Sequence, residues 1–171
     1  MTIQRVRVLG IDPGSQRTGF GVLDAVGPRL SYVSSGVIRT TGLDFAARLC
    51  EIFRCVQMIV AEYQPQEIAI ERVFMNRNAD SALKLGQARG AAICGTADSQ
   101  AQVFEYAPRE IKLAVVGSGN AEKGQVQLMM RSLLKLESAV AADAADALAA
   151  AVCHALRARV RASLLRAAGQ G

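Results

Sequence analysis

Apolar runs separated by short turns open the chain and predict three consecutive strands. The first run, residues 6–11, ends in Asp12 and is followed at once by Pro-Gly. Apolar residues resume over 18–23 and again over 30–39. Short runs bounded by turn residues are typical of strands, and connections this short are typical of hairpins. We therefore expect an antiparallel meander in which Asp12 lies where the first strand leaves the core.

The pattern then changes to a helical period. Asp44 is a suitable N-cap, and apolar residues recur at helical spacing until Pro65 ends the segment. A short apolar strand, residues 68–70, follows and ends in a second acid, Glu71. A strand, helix, strand unit crosses over right-handedly and lays the new strand parallel to its partner. If that partner is the first strand, Asp12 and Glu71 lie at the same edge of the sheet.

The second half of the chain predicts one more strand and four helices. Asn78 is a suitable N-cap for a helix in which Gly86 and Gly90 lie on one face. This small-residue face suits close packing either against the sheet or at a homodimer seam, and the sequence does not choose between them. The other predicted elements are a strand over Val103 to Tyr106, a helix after Pro108, a helix from Lys123 to Leu136, and an alanine-rich helix containing Asp143 and Asp146.

Length and composition restrict the class of protein. The 171 residues suit one domain, predicted over 1–158, followed by a basic and flexible tail over 159–171. The chain shows neither a bilayer-length apolar run nor a signal peptide, so we expect a cytoplasmic protein. The four cysteines and the single histidine lack zinc-site spacing, so buried thiols in a reducing compartment are expected. A formal net charge of +5 favours an anionic partner such as nucleic acid.

Four acids occupy notable places in the predicted elements. Asp12 and Glu71 each end a strand, and Asp143 and Asp146 lie three residues apart on one helix face. Each has a simpler interpretation alone: a turn residue for Asp12, and solvated first-turn acids for the helical pair. Gathered together, carboxylates repel one another unless cations are bound. Four carboxylates without thiolate or imidazole suit Mg²⁺ or Mn²⁺, and two such ions can clamp a phosphodiester during its hydrolysis.

Cationic and aromatic residues elsewhere suit contacts with nucleic acid. The loop after the fourth strand carries Phe74 between Arg72 and Arg77, a combination suited to stacking on an unpaired base and holding phosphates. Lys112 and Lys123 can each point at a phosphate. The alternatives are that Phe74 packs into the core and that both lysines are solvated, and the residues alone leave these open.

Five segments resemble, in order, the motifs of the bacterial RuvC family of crossover junction endodeoxyribonucleases. The likeness extends from about Val8 to His154, which is nearly the whole chain. Arg77 and the short tail rich in arginine and alanine depart from the family pattern, but neither touches the acids. The segments are GIDPGSQRTGFGV, AIERVFMNRNADSALKLGQARG, FEYAPREIK, VVGSGNAEKGQV and DAADALAAA.

The resemblance implies an α/β fold of the ribonuclease-H-like type, a five-stranded mixed sheet flanked by helices. It also implies a homodimer that resolves four-way Holliday junctions by paired symmetric nicks, with two Mg²⁺ ions per active site and Mn²⁺ as a substitute. The RuvA-RuvB branch-migration complex is an implied partner. Carried over by motif, the catalytic metal-binding acids are Asp12, Glu71, Asp143 and Asp146, the base-stacking residue is Phe74, and the catalytic DNA-contacting lysines are Lys112 and Lys123.

Two other classes of protein fit parts of the sequence. The segment GIDPGS followed by Thr18 and Gly19 also resembles the phosphate loop of ATPases of the sugar kinase and actin type. Those proteins need two such domains to close on a nucleotide, and 171 residues hold only one. A non-catalytic junction-binding scaffold would gain nothing from four mutually repelling carboxylates. The sequence therefore favours a structure-selective endonuclease.

Overall fold

Five strands and five helices make up the part of the chain that the structure describes, residues 4–73 and 78–168 of a computed structural model. Three consecutive strands come first, and strands then alternate with helices until three helices complete the chain. The elements are β1 Arg5–Asp12, β2 Arg17–Val26, β3 Arg29–Arg39, α1 Phe45–Tyr63, β4 Glu67–Glu71, α2 Ala79–Cys94, β5 Gln102–Tyr106, α3 Pro108–Val116, α4 Lys123–Leu133 and α5 Ala142–Ala168.

The five strands form one mixed sheet in the order β3-β2-β1-β4-β5. The first three strands pair antiparallel, whereas β4 lies parallel to β1 and β5 lies parallel to β4. The register sets Leu9 beside Ile68 and Ile11 beside Ile70. Asp12 and Glu71, each the last residue of its strand, therefore emerge at the same edge of the sheet. The predicted meander, crossover and five-stranded mixed architecture are confirmed.

Helices cover both faces of the sheet, because side chains alternate along each strand. On β1, Leu9 and Ile11 pack with the buried stripes of α1 and α2, while Val8 packs with residues of α3, α4 and α5 on the other face. Helix α5 lies across the centre of the sheet, where it contacts β1, β2 and β4. Its buried face is mostly alanine, so its backbone can come close to the strands.

Two glycines make the close approach of α5 possible. A Cβ atom at Gly10 would collide with the backbone carbonyl of Ala147, and one at Gly19 would collide with the carbonyl of Asp143. Backbone atoms cannot move aside as the end of a flexible side chain can. The start of α5 is therefore held directly above the end of β1 and the start of β2.

The helix starts were predicted more accurately than the helix ends. The side chains of Asp44 and Asn78 accept hydrogen bonds from backbone N–H groups three residues on, so both predicted N-caps are confirmed. The prediction that α4 reaches Leu136 is wrong, because the helix ends at Leu133 and Lys135 adopts a left-handed conformation with φ of 52°. Helix α5 continues without a break to Ala168, so the boundary at residue 158 and the flexible tail stay predictions.

The prediction that all four cysteines are buried is also wrong. Cys153 is buried on α5, but Cys50 and Cys94 are exposed and Cys55 is partly buried. Cys50 lies on the outward face of α1, opposite a buried stripe that includes Ile52 and Val56. All four are free thiols in the structure. None of the helices within residues 4–73 and 78–168 has the length and apolar character needed to cross a membrane.

Substitution of Gly10 by alanine tests the close approach of α5. We expect Gly10→Ala to lower the free energy of unfolding by about 1–3 kcal/mol or more, as overpacking does, measured by denaturant titration. The control is Gly124→Ala in α4, where a Cβ atom meets nothing within 4 Å and stability is expected to stay the same or rise by up to about 1 kcal/mol. Equal stability of Gly10→Ala and the unsubstituted chain would show that α5 lies farther from β1.

Candidate active site

The four acids predicted from the sequence lie where β1, β4 and α5 converge. Asp12 and Glu71 end neighbouring parallel strands. In the pairing of β1 with β2, Asp12 lies opposite Gly19, the residue that touches the backbone of Asp143. The first turn of α5 is therefore close to the end of β1, and Asp146 follows one turn later on the same helix.

The charges of these acids act on one another, which shows that they share one region. Burial, followed by the charges of Glu71, Asp146 and Asp143, raises the pKa of Asp12 from 3.8 to about 8. Burial and then the charge of Asp146 raise the pKa of Glu71 from 4.5 to about 7. Burial also raises the pKa of Asp146, with Asp143 contributing in the same direction. In the folded protein, too little positive charge surrounds these buried carboxylates for them to ionise at the pH at which free carboxyl groups do.

Two predicted lysines face the acids and partly offset this repulsion. The charge of Lys123 lowers the pKa of Asp12, Glu71 and Asp146, and that of Lys112 lowers the pKa of Glu71 and Asp146. Lys112 lies half-buried on α3, and Lys123 is exposed as the first residue of α4. The structure thus places both lysines near the acids, while their contacts with DNA and their catalytic roles stay predictions.

The chemistry of the site fits hard divalent cations. All its candidate ligands are carboxylate oxygens, the donors preferred by Mg²⁺ and Mn²⁺, and the raised pKa values of Asp12 and Glu71 indicate unmet demand for positive charge. Among the described residues, no three Asp, Glu, His or Cys side chains are gathered closely enough to hold a metal ion as they stand.

Three predicted DNA contacts have different outcomes. Phe74 and Arg77 lie outside the described residues. Arg72 is described, and its guanidinium donates a hydrogen bond of 2.9 Å to the Glu110 carboxylate at the start of α3. The contact of Arg72 with DNA stays a prediction, and it would require competition with Glu110.

Sequence reasoning missed Arg17, which lies at the edge of the site. Its Nε lies 3.6 Å from Oδ2 of Asp143, so Arg17 supplies the counter-charge that a partly buried acid requires. A usable signal was present: Arg17 begins the strand that returns from the turn after Asp12. A residue at that position must lie near the same edge of the sheet.

Sequence reasoning also missed a buried polar network beneath the site. His154, on α5, hydrogen bonds to Tyr106 of β5 and Glu67 of β4. The sequence shows a lone histidine on an alanine-rich helix but gives no sign of its partners, because they are 48 and 87 residues away.

The fold and the site define a class: a ribonuclease-H-like domain with an acidic site at the carboxyl ends of two parallel strands. The chain belongs to the RuvC family, because residues 8–154 match the family described as "Crossover junction endodeoxyribonuclease RuvC". The protein of that description from Shewanella piezotolerans is 57% identical over 147 residues, 86% of this chain and 85% of its own length. The protein from Hahella chejuensis is 57% identical over 149 residues, 87% of each chain.

Solved structures show the same fold. The RuvC structure from Thermus thermophilus is 33% identical, with a TM-score of 0.79 over 90% of this chain and 96% of that one. T. thermophilus RuvC in complex with a Holliday junction substrate is 34% identical, with a TM-score of 0.84 over 91% and 96%. The yeast mitochondrial Holliday junction resolvase Ydc2 is 13% identical with a TM-score of 0.67, which shows a shared fold alone.

The raised pKa values predict how stability depends on pH without divalent metal. Unfolded Asp12 loses its proton near pH 4, whereas folded Asp12 keeps it up to about pH 8, so stability falls as pH rises through this window. Asp12→Asn should therefore raise Tm at pH 8.5 in chelator, by about 2–4 °C per kcal/mol of repulsion relieved, with little effect near pH 4. Added Mg²⁺ should remove the advantage of the variant.

Asp24→Asn is the control of opposite sign. Arg7 holds Asp24 at 2.8 Å, and this hydrogen bond lowers the pKa of that carboxyl. The interaction with Arg7 therefore stabilises the folded state above the ordinary pKa of Asp24, and this stabilisation is lost as the pH falls through the lowered pKa. Asp24→Asn should lower Tm at pH 8.5. If Asp12→Asn also lowered Tm in chelator at that pH, Asp12 would not be under repulsion.

Proposed function

We propose that this chain is a structure-selective endonuclease that resolves four-way Holliday junctions in homologous recombination and DNA repair. It cuts two strands by paired symmetric nicks, through hydrolysis of phosphodiester bonds. The observation that carries the proposal is the convergence of Asp12, Glu71 and the helical acids of α5 beside two lysines. Membership of the RuvC family and the likeness to a relative solved with a Holliday junction substrate support the choice of DNA substrate.

The proposed cofactor is Mg²⁺, with two ions per site and Mn²⁺ as a substitute. The residues that would hold them are Asp12, Glu71, Asp143 and Asp146. When bound, the ions would supply Lewis-acid stabilisation of the negative charge that develops on the phosphodiester. Bound cations would also lower the raised pKa values of Asp12 and Glu71, so that both carboxylates are ionised at neutral pH.

The cationic residues of the chain have a separate proposed role. Lys112 and Lys123 would stabilise the additional negative charge of the transition state, because both already act electrostatically on the acids. The proposed DNA contacts farther from the acids are base stacking by Phe74 and phosphate binding by Arg72 and Arg77. This division leaves the acids to bind cations and the basic residues to bind DNA.

The proposed assembly is a homodimer through α2. Cβ atoms at Gly86 and Gly90 would meet nothing within 4 Å, so this face does not pack against the sheet in the structure. Leu83 on the same face is 68% exposed, and the opposite face buries Ala88 and Ala92 against the core. Two copies joined at the exposed face would carry two active sites, as paired nicks require.

A cytoplasmic location and a partnership with the RuvA-RuvB branch-migration complex complete the proposal. The four free thiols are compatible with a reducing compartment. A non-catalytic scaffold is not favoured, because a binding module would be more stable without buried acids that repel one another.

Asp146→Asn separates cleavage from binding. We expect Mg²⁺-dependent cleavage of a synthetic four-way junction to fall by roughly 10²-fold or more, the scale seen when one charge-stabilising group is lost. Binding of the junction should persist or strengthen, because one negative charge near phosphate is removed. The control is Asp98→Asn, an exposed position that hydrogen bonds to Gln57 away from the site. Undiminished cutting by Asp146→Asn would remove Asp146 from the site.

Gly90→Arg tests the homodimer. A bulky charged side chain on the exposed face of α2 should convert dimers to monomers in sedimentation and should uncouple the paired nicks. The control is Met58→Arg on α1, where the side chain is already 70% exposed. Dimers of unchanged stability in Gly90→Arg would place the dimer interface elsewhere.

A further inference from the structure

His154 is the only histidine of the chain and is fully buried. The Tyr106 hydroxyl lies 2.7 Å from its Nδ1, and its Nε2 lies 2.6 Å from Oε2 of Glu67. The ring of Phe104 packs against the imidazole with 4.4 Å between ring centres. An imidazole with its proton on Nε2 satisfies every polar atom: the phenol donates to Nδ1 and Nε2–H donates to the carboxylate. The network therefore fixes both the position and the orientation of the histidine.

These hydrogen bonds join α5 to the two strands at the far side of the sheet. Glu67 begins β4, and Tyr106 ends β5. The same α5 carries Asp143 and Asp146, and the same β4 ends in Glu71. The elements that carry three of the four acids are thus tied together through His154, and Tyr106 lies beside Glu71 in the pairing of β4 with β5.

The spacing along the helix matches the spacing along the strand. Asp146 and His154 are eight residues apart, or about 12 Å along a helix. Glu67 and Glu71 are four residues apart, or about 13 Å along a strand. Because α5 runs opposite to β4, a helix held at Glu67 brings Asp146 level with Glu71. The effect of the Asp146 charge on the pKa of Glu71 agrees with this alignment.

Besides His154, α5 is held by the ion pairs Arg157–Glu110 and Arg17–Asp143, which join it to α3 and β2 rather than to β4 and β5. The buried face of α5 consists mainly of alanines, which present a smooth surface and non-directional contacts. Gly10 and Gly19 determine how closely the helix approaches the sheet. Hydrogen bonds from His154 are directional, so they resist both sliding and rotation of the helix.

We infer that His154 is a positioning residue, which fixes the axial placement of α5 through Glu67 and Tyr106 and so holds Asp143 and Asp146 opposite Asp12 and Glu71. This inference rests on the proposed role of the four acids as metal ligands. A histidine that only fills the core would be replaceable by an apolar side chain at a cost in stability alone. A positioning histidine also controls how well the acids share a cation.

The test measures metal binding and stability separately in the unsubstituted chain and four variants. Mn²⁺ is titrated into the DNA-free chain by calorimetry, Tm is recorded in chelator, and junction cleavage is followed against Mg²⁺ concentration. His154→Leu removes both hydrogen bonds, and Tyr106→Phe removes only one hydroxyl and should fold in every case. Val152→Ala is the matched control, because Val152 is fully buried on the same helix and its apolar side chain makes no hydrogen bonds.

We expect His154→Leu to weaken Mn²⁺ binding about tenfold and to raise the half-saturating Mg²⁺ concentration by a similar factor. Tyr106→Phe should show a smaller change in the same direction, and His154→Gln, which can keep one hydrogen bond, should recover part of the loss. Val152→Ala should lower Tm while leaving metal binding unchanged.

Two results would overturn the inference. One is normal Mn²⁺ affinity in both His154→Leu and Tyr106→Phe despite a lower Tm. The other is an equal loss of affinity in Val152→Ala, which would show a general effect of destabilisation. Failure of the unsubstituted chain to bind Mn²⁺ or to cut the junction would instead overturn the proposed function of the acids.

Discussion

The close contact of α5 with the sheet is the constraint on which the site depends. At Gly10 and Gly19 the helix backbone lies where any larger residue would place its Cβ atom. The residues touched are Ala147 and Asp143, so the contact that completes the core also sets the height of the first turn of α5 above β1. Larger side chains between α5 and the sheet would move Asp143 and Asp146 away from Asp12. Packing and chemistry are therefore determined by the same few atoms.

This arrangement is electrostatically costly, and the rest of the α5 layer reduces the cost. Asp12 and Glu71 are buried enough that their pKa values rise to about 8 and about 7. Lys112 on α3 and Lys123 on α4 partly offset the repulsion among the acids. Both helices pack against α5. Both lysines thus act from the helix layer that also carries Asp143 and Asp146. The repulsion that remains lowers the stability of the folded protein above the ordinary pKa of these acids.

Sequence reasoning predicted what depends on local pattern and missed what depends on distant partners. The strands, the crossover and the caps at Asp44 and Asn78 follow from periodicity and local hydrogen bonding. The convergence of Asp12 and Glu71 follows from the parallel pairing that the crossover between β1 and β4 produces. The end of α4 at Leu133 and the network of His154 do not, because they depend on tertiary contacts that no short window contains. The exposed thiols of Cys50 and Cys94 show the same limit, since burial of a cysteine depends on its helix face.

Arg72 illustrates how the structure changes the meaning of a predicted contact. Its guanidinium and that of Arg157 both bind the Glu110 carboxylate, which also accepts the Ala107 backbone N–H at the start of α3. A single exposed pair contributes little to stability, but a carboxylate with three donors orients what it joins. Here it joins the end of β4, the start of α3 and the helix α5. Because α3 carries Lys112, Glu110 fixes the base of that helix relative to Glu71. Release of Arg72 to a phosphate would therefore weaken one support of the lysine while adding one cation to the DNA surface.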